Sequence, residues 1–157
     1  MRFKNRYFLF DVVYDTALRV DAQTNALRKS QTGPTAKQRS LHGKAIQRAI
    51  RDAVQDNFGD YGIGVCAASL QVKYYNALTS TGIIRAPRDH FEMIWAAVSL
   101  IRQLDGQPCM ICVRRVTGTI RHAQEHAIVF AERSIKRHKL QEAELHQVER
   151  DVMQLDP

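Results

Sequence analysis

The segment that most constrains this chain is Arg6 to Tyr14, RYFLFDVVY. Its side chains are mostly aromatic or β-branched, and Asp11 is its one charge after Arg6. A run of this kind fits a strand buried on at least one face, because its apolar side chains leave no polar side to turn to water. The rest of the chain must supply the layer that covers it.

Downstream, the hydrophobic period changes several times. Asp15 to Gln38 is polar, contains Gly33-Pro34 and holds no steady period, so it reads as a long loop and candidate for disorder, with a short helical piece near Ala26. Ser40 can cap a helix whose apolar positions Ile46, Ala49, Ile50, Ala53, Val54 and Phe58 recur at three and four residues, ending at Gly59 and Gly62. Val65 to Tyr75 alternates Cys66, Ala68, Leu70, Val72 and Tyr74 against more polar neighbours, as a half-buried strand does. After a turn at Asn76 to Thr79, Ser80 to Ala86 reads as an antiparallel partner strand. Asp89 and Glu92 have the spacing of a capping box before a stripe of Phe91, Ile94, Trp95, Val98, Ile101 and Leu104, and Asp105-Gly106 closes that helix. Met110 to Val116 is a further strand, Thr117-Gly118-Thr119 a corner, and Arg121 to Leu155 a charged helix with a break near His138.

The order strand, helix, strand, strand, helix, strand, helix predicts an α+β domain. The expected fold is a ferredoxin-like α/β sandwich, like that of RNA-recognition motifs, with an antiparallel sheet and an extra C-terminal helix. Residues 1–121 are the expected core, interrupted by the variable loop 15–38, and residues 122–157 a charged helix of the same domain. The 157 residues, 45% hydrophobic and 25% charged, suit one such domain. No apolar stretch approaches the roughly 18 to 20 residues of a membrane span, and MRFKNRYFLF lacks the parts of a secretory signal, so an intracellular protein is expected. Cys66, Cys109 and Cys112 are expected as free thiols.

The net charge of +7 is unevenly distributed. Residues 1–50 carry 10 basic against 3 acidic groups, residues 51–121 carry 8 against 6, and residues 122–157 carry 5 against 7. A cationic front end suits a polyanion, whose counterions are released on binding. Arg2, Lys4 and Arg6 recur at period two, so an extended backbone projects all three to one side. Lys73, Arg85, Arg88, Arg114, Arg115 and Arg121 fall on or beside strand ends or the Thr117–Thr119 corner.

Catalytic constellations are weaker. Cys109, Cys112, His122 and His126 spell C-x2-C-x9-H-x3-H, but residues three apart on a strand face opposite ways and the spacer is short for a zinc finger. The alternative is a core Cys112, an accessible Cys109 and two histidines on a solvated helix. A redox C-x2-C needs a helix N-terminus. Asp52, Asp56 and Asp60 have the spacing of one solvated helix face. The aromatic strand motif of an RNA-recognition motif is absent, although Tyr74 or Tyr75 could offer a ring.

Three separated stretches, RFKNRYFLFDVV, NFGDYGIGVCAASLQVKYYNALTSTGIIRAPRD and the TGTIR corner, resemble the Pop-five family, the small protein subunits shared by eukaryotic ribonuclease P and ribonuclease MRP. The likeness runs from Arg2 to about Arg121. It implies an RNA-binding scaffold with a ferredoxin-like core and no catalytic residue of its own. The implied catalyst is RNA, with magnesium at the RNA centre and no cofactor bound by the protein. The implied role is 5′ maturation of precursor tRNA and processing of precursor rRNA in the nucleus and nucleolus, beside a TIM-barrel-like protein subunit. By this resemblance Arg2, Lys4 and Arg6 face the RNA, with Arg85 and Arg121 next; Lys73 and Arg88, placed by their positions at strand ends, are further candidates for RNA contact. Ser80, Thr81, Gly82 and Gly118 would let backbone amides approach phosphate. The competing reading is a protein-interaction module of a ribonucleoprotein without direct RNA contact, anchored by Trp95, Met93 and Tyr75.

Overall fold

The computed structural model describes residues 4–14, 18–20, 27–29, 41–138 and 150–154. Strand β1 (Asn5–Tyr14) is followed by two short paired strands, β2 (Leu18–Val20) and β3 (Leu27–Lys29), and then by helix α1 (Gly43–Cys66). Strands β4 (Gln71–Asn76) and β5 (Thr81–Pro87) lead through a 3-10 turn at Arg88–His90 into helix α2 (Phe91–Leu100). Strands β6 (Gln103–Leu104) and β7 (Gln107–Thr117) and helix α3 (Ile120–His138) follow, with a helical turn at 150–153.

One five-stranded sheet in the order β4-β5-β1-β7-β6 holds these elements together, and every pairing in it is antiparallel. With the short β6 set aside, the first core strand lies between the third and fourth and the second takes the edge, which is the ferredoxin-like arrangement expected from the element order. Strand β1 is central and sandwiched. Phe8, Phe10, Val12 and Tyr14 face α1 and α2, meeting Ile46, Ile50, Ile94 and Val98. Tyr7 and Leu9 face the other way with Ile83 and Tyr74, beneath Ile120, Ala123, Ala127 and Ala131 of α3 and Val152. The small alanines on one stripe of α3 let that helix lie close to the sheet. Gln124 Nε2 donates to the Val152 carbonyl oxygen at 2.9 Å, tying residues 150–153 to the same helix. Among the described residues no helix is long and apolar enough to cross a membrane.

Several expectations are corrected. The 15–38 segment is not all loop, since 18–20 and 27–29 pair as strands; the helical piece near Ala26 lies outside the described residues. The N-cap of α1 is His42, and Ser40 lies outside the described residues. Helix α1 does not end at Gly59 and Gly62: Gly59 takes φ 61° as a kink and the helix resumes to Cys66. Gly62 is there for space, because a Cβ would come within 2.6 Å of Phe58 Cβ and 3.0 Å of Val54 Cγ1. The alternation read from Val65 therefore belongs to a helix end up to Cys66, and the strand starts only at Gln71. Asp89 sits in a 3-10 turn and forms no side-chain cap. Asp105 and Gly106, with φ 49° and 72°, turn the β6–β7 hairpin and do not end a helix; both positive angles suit a two-residue hairpin turn.

Two bulges matter for the basic residues. Leu9 opposes Arg115 while Phe10 opposes Val113, leaving Arg114 as the extra residue of β7. Val72 opposes Ile84 while Tyr74 opposes Ile83, leaving Lys73 as the extra residue of β4. A bulge re-aims a side chain. Arg114, which shares the face of Cys112 opposite Asp11, reaches Asp11, whose carboxylate is fully buried and accepts from Arg114 Nε at 2.6 Å and Nη2 at 2.9 Å. The guanidinium carbon lies 5.7 Å from the centre of the Phe130 ring on α3. Arg114 is thus a structural cation that links β1, β7 and α3, and its ionised form is further stabilised by the Asp11 hydrogen bonds.

Arg114→Met should destabilise the fold by about 3 kcal/mol, because it strands a buried carboxylate without that guanidinium. Asp11→Asn should cost less, because the partly exposed Arg114 can turn to water. Urea denaturation of both variants checks the order; equal costs would mean the ion pair does not organise the β1–β7 junction.

Candidate nucleic-acid interface

The register brings cations from separate elements to one end of the sheet. At the start of β1, Asn5 pairs with Pro87 and Arg6 with Ala86, and the Arg88 amide donates to the Lys4 carbonyl oxygen at 2.9 Å, extending the ladder by one step. Lys4 and Arg88 are exposed there. Tyr7 lies between Arg85 on β5 and Thr117 on β7, so the Thr117–Thr119 corner reaches the same end. Arg6 is half-buried, and its guanidinium passes close enough to exposed Gly118 that a Cβ there would come within 3.3 Å of it. Arg115, opposite Leu9, is exposed one step further in.

Each cation is held differently. Arg85 Nε donates to the Ser69 carbonyl oxygen at 3.1 Å, fixing the stem and orienting the guanidinium. Arg121 stands in the first turn of α3 and meets Glu125 at 3.3 Å, with both side chains largely exposed. A surface pair of that kind is weak and gives way readily to a phosphate. Among the described residues no carboxylate is paired with Lys4, Arg6, Arg85, Arg88 or Arg115. Such a set concentrates positive potential at one edge. Arg2 lies outside the described residues. Lys73 stands apart, on the edge strand, where it lines a groove with Lys44 and Arg48 of α1. The sequence reading missed those two, although their spacing of four residues on a helix was the available signal.

The backbone-approach reading of Ser80, Thr81 and Gly82 is corrected. All three are buried, and Gly82 pairs with Phe10, four residues and about 13 Å of strand away from the Arg6–Ala86 pair. Gly82 is required by packing, since a Cβ would come within 2.6 Å of both the Phe10 ring and the Tyr74 carbonyl oxygen. The Ser80 carbonyl oxygen accepts from the Val12 amide at 2.7 Å, closing the turn onto β1. Gly118 alone of the four lies at the basic end.

The aromatic platform of an RNA-recognition motif is also occupied. Tyr74 is buried under α3, while Tyr75 lies near-parallel to Phe10 at 6.3 Å in the helix-side core. Burial pushes both phenols well above their ordinary pKa. Of the protein-anchor candidates, Met93 and Tyr75 pack against the core, and Trp95 is 42% exposed.

The cysteines exchange their expected places. Cys109 is in the core and Cys112 is half-buried, because Cys109 shares the helix-side face with Ile111. Burial pushes the Cys109 thiol up to about 11, away from the thiolate that metal binding or redox chemistry requires. Among the described residues no group of three or more His, Cys, Asp or Glu converges as a metal site.

The sequence model of the Rpp14/Pop5 family matches residues 6–128. The chain is 44% identical over 129 residues to the ribonuclease P/MRP protein subunit POP5 of Schizosaccharomyces pombe, covering 82% of this chain and 86% of that one. It is 30% identical over 130 residues to POP5 of Saccharomyces cerevisiae, covering 82% and 75%. It is 28% identical over 124 residues to ribonuclease P protein component 2 of Methanocaldococcus jannaschii, covering 79% and 72%. A chain in the cryo-EM structure of yeast ribonuclease MRP superposes with a TM-score of 0.48 at 10% identity, covering 87% of this chain and 97% of that one.

The glycines give a contrast. Gly82→Ala should lower stability by about 2 to 3 kcal/mol through overpacking against Phe10. Gly118→Ala should change it by less than about 0.5 kcal/mol, because Arg6 can swing away. Chemical denaturation measures both. Alkylation of the native protein at pH 8 should modify Cys112 well before Cys66 and Cys109, with mass spectrometry reporting the order.

Proposed function

Because the chain belongs to the Rpp14/Pop5 family, we propose that it is a non-catalytic protein subunit of ribonuclease P and ribonuclease MRP whose basic sheet end docks on the RNA of the particle. The names of its relatives support the assembly. The observation that carries RNA contact is the convergence of Lys4, Arg6, Arg85, Arg88 and Arg115 at one end of the sheet, with Arg121 beside them.

On this reading the protein positions and the RNA cuts. Lys and Arg side chains follow the phosphate backbone, which fixes register without reading base identity. Arg85, held by Ser69, presents a pre-oriented guanidinium, and planar guanidinium matches phosphate better than a mobile ammonium does. Hydrolysis of the phosphodiester belongs to magnesium ions in the RNA. The products are matured 5′ ends of tRNA and processed precursor rRNA, and the site of action is the nucleus and nucleolus. A TIM-barrel-like subunit is the proposed protein neighbour.

Affinity capture of the tagged chain followed by RNA sequencing should recover ribonuclease P or MRP RNA; recovery of no structured RNA would overturn the proposal. Lys4→Ala/Arg6→Ala/Arg88→Ala should flatten the salt dependence of RNA binding by about two to three units, one for each phosphate that the variant no longer neutralises. The melting temperature should stay nearly unchanged, since Lys4 and Arg88 are exposed and Arg6 half-buried. Unfolding of this variant would instead make these side chains structural.

A further inference from the structure

Between the first turn of α1 and the edge strand β4 lies a groove of about 710 Å³. Lys44 and Arg48 contribute one wall, four residues apart and therefore on one face of α1. Lys73 comes from the other wall, as the extra residue of the β4 bulge. His42 is at the helix entrance. Among the described residues no acidic side chain lines the groove, and α1 has none in its first turn. Three cations from two elements thus share one concavity, which raises the local positive potential and favours a polyanion.

The edge itself argues against an acidic peptide added as a further strand. The Val72 amide already donates to Gln47 Oε1 at 3.2 Å, and the bulge at Lys73 interrupts the regular ladder a new strand would need. Gln71, which lines the groove, is also the partner of Arg85 of the basic sheet end. A phosphate backbone that rounds the β4 edge beside Arg85 reaches Lys73 on the strand and Arg48 and Lys44 on α1.

We infer that this groove is a second RNA-backbone contact, in which Lys44, Arg48 and Lys73 neutralise phosphates of a strand running on from the sheet end. This rests on the RNA-binding function proposed above and adds a surface to it.

The test is fluorescence anisotropy of the full chain with a fluorescein-labelled transcript of Schizosaccharomyces pombe ribonuclease P RNA across a potassium chloride series. Lys44→Ala/Arg48→Ala/Lys73→Ala should bind about tenfold more weakly, with a salt slope lower by about two units. If that variant melts early, Lys44→Gln/Arg48→Gln/Lys73→Gln, which keeps long side-chain stems, should give the same loss. Wild-type affinity and slope in the groove variant, alongside a loss in Lys4→Ala/Arg6→Ala/Arg88→Ala, would overturn the groove and leave the sheet-end reading standing. An absence of salt-dependent binding by the unmutated chain would overturn both. A groove variant that keeps RNA but loses a protein subunit from the purified particle would show an acidic protein surface as the occupant, and the inference would fail.

Discussion

Because β1 has packed layers on both of its faces, the carboxylate that Asp11 places in mid-strand must be satisfied from within the protein, and Arg114 does this through two hydrogen bonds. Cys112 opposes Asp11, so alternation along β7 puts Arg114 on the side of the sheet that Asp11 faces, and the bulge adds Arg115 to that side. The guanidinium also packs against Phe130 of α3. One buried charge thereby fixes the register of β1 against β7 and the seat of the helix above them. A one-residue slip would bring apolar Val12 opposite the guanidinium and turn every side chain of β1 to the wrong layer.

The same burial decides where cations can appear. Strand β1 has no solvated face along its middle, so only its first residues and the Lys4 that precedes them can present charge to solvent. Antiparallel pairing on both sides then brings the last residues of β5 and β7 to that end, with Arg85, Arg88 and Arg115. The cluster therefore follows from topology and does not depend on any local sequence motif. Its members are separated by up to about a hundred residues in the chain, which is why scattered strand-end arginines look individually unremarkable until the register is known.

Elements with a strong, unbroken period were legible from the residues: β1, β5 and the body of β7 lie where the pattern puts them, and α2 does so up to Leu100, the last two positions of its stripe, Ile101 and Leu104, lying beyond the helix. Misreadings gather at glycines. Gly59 and Gly62 read as a helix stop, yet one is a kink inside α1 and the other a close approach to Phe58 and Val54. Gly106 read as a helix end and turns a hairpin, and Gly82 read as open to phosphate and is filled by the Phe10 ring. A glycine announces that a side chain is unwelcome; whether backbone angle or a neighbour excludes it depends on tertiary packing the sequence does not display. The bulges at Lys73 and Arg114 were hidden for a similar reason, because one extra residue in a strand is defined only against its partner. At the candidate interface, alternation singled out Lys4 and Arg6 in the sequence, whereas Lys44 and Arg48 were masked by the stronger signal of the apolar stripe on the other face of α1.

The placement of α3 has a consequence for how nucleic acid could be recognised. In an RNA-recognition motif the open sheet face offers aromatic rings on which splayed bases stack. Here that face carries Tyr7, Leu9, Ile83 and Tyr74 under a helix whose alanines lie close to it, and the other tyrosine of β4 faces the opposite core. With no ring of β4 or β1 free to stack, what the sheet offers an RNA is its edge and its end, where the available groups are guanidinium, ammonium and backbone amide. These bind phosphate and shape far better than base identity. On the proposed RNA contact, a surface of that kind suits an RNA that is already folded and presents its backbone in a fixed path, with discrimination by the geometry of the phosphates. Under that proposal, specificity for one RNA comes from matching several cation positions at once, which the double-sided burial of β1 helps to hold fixed.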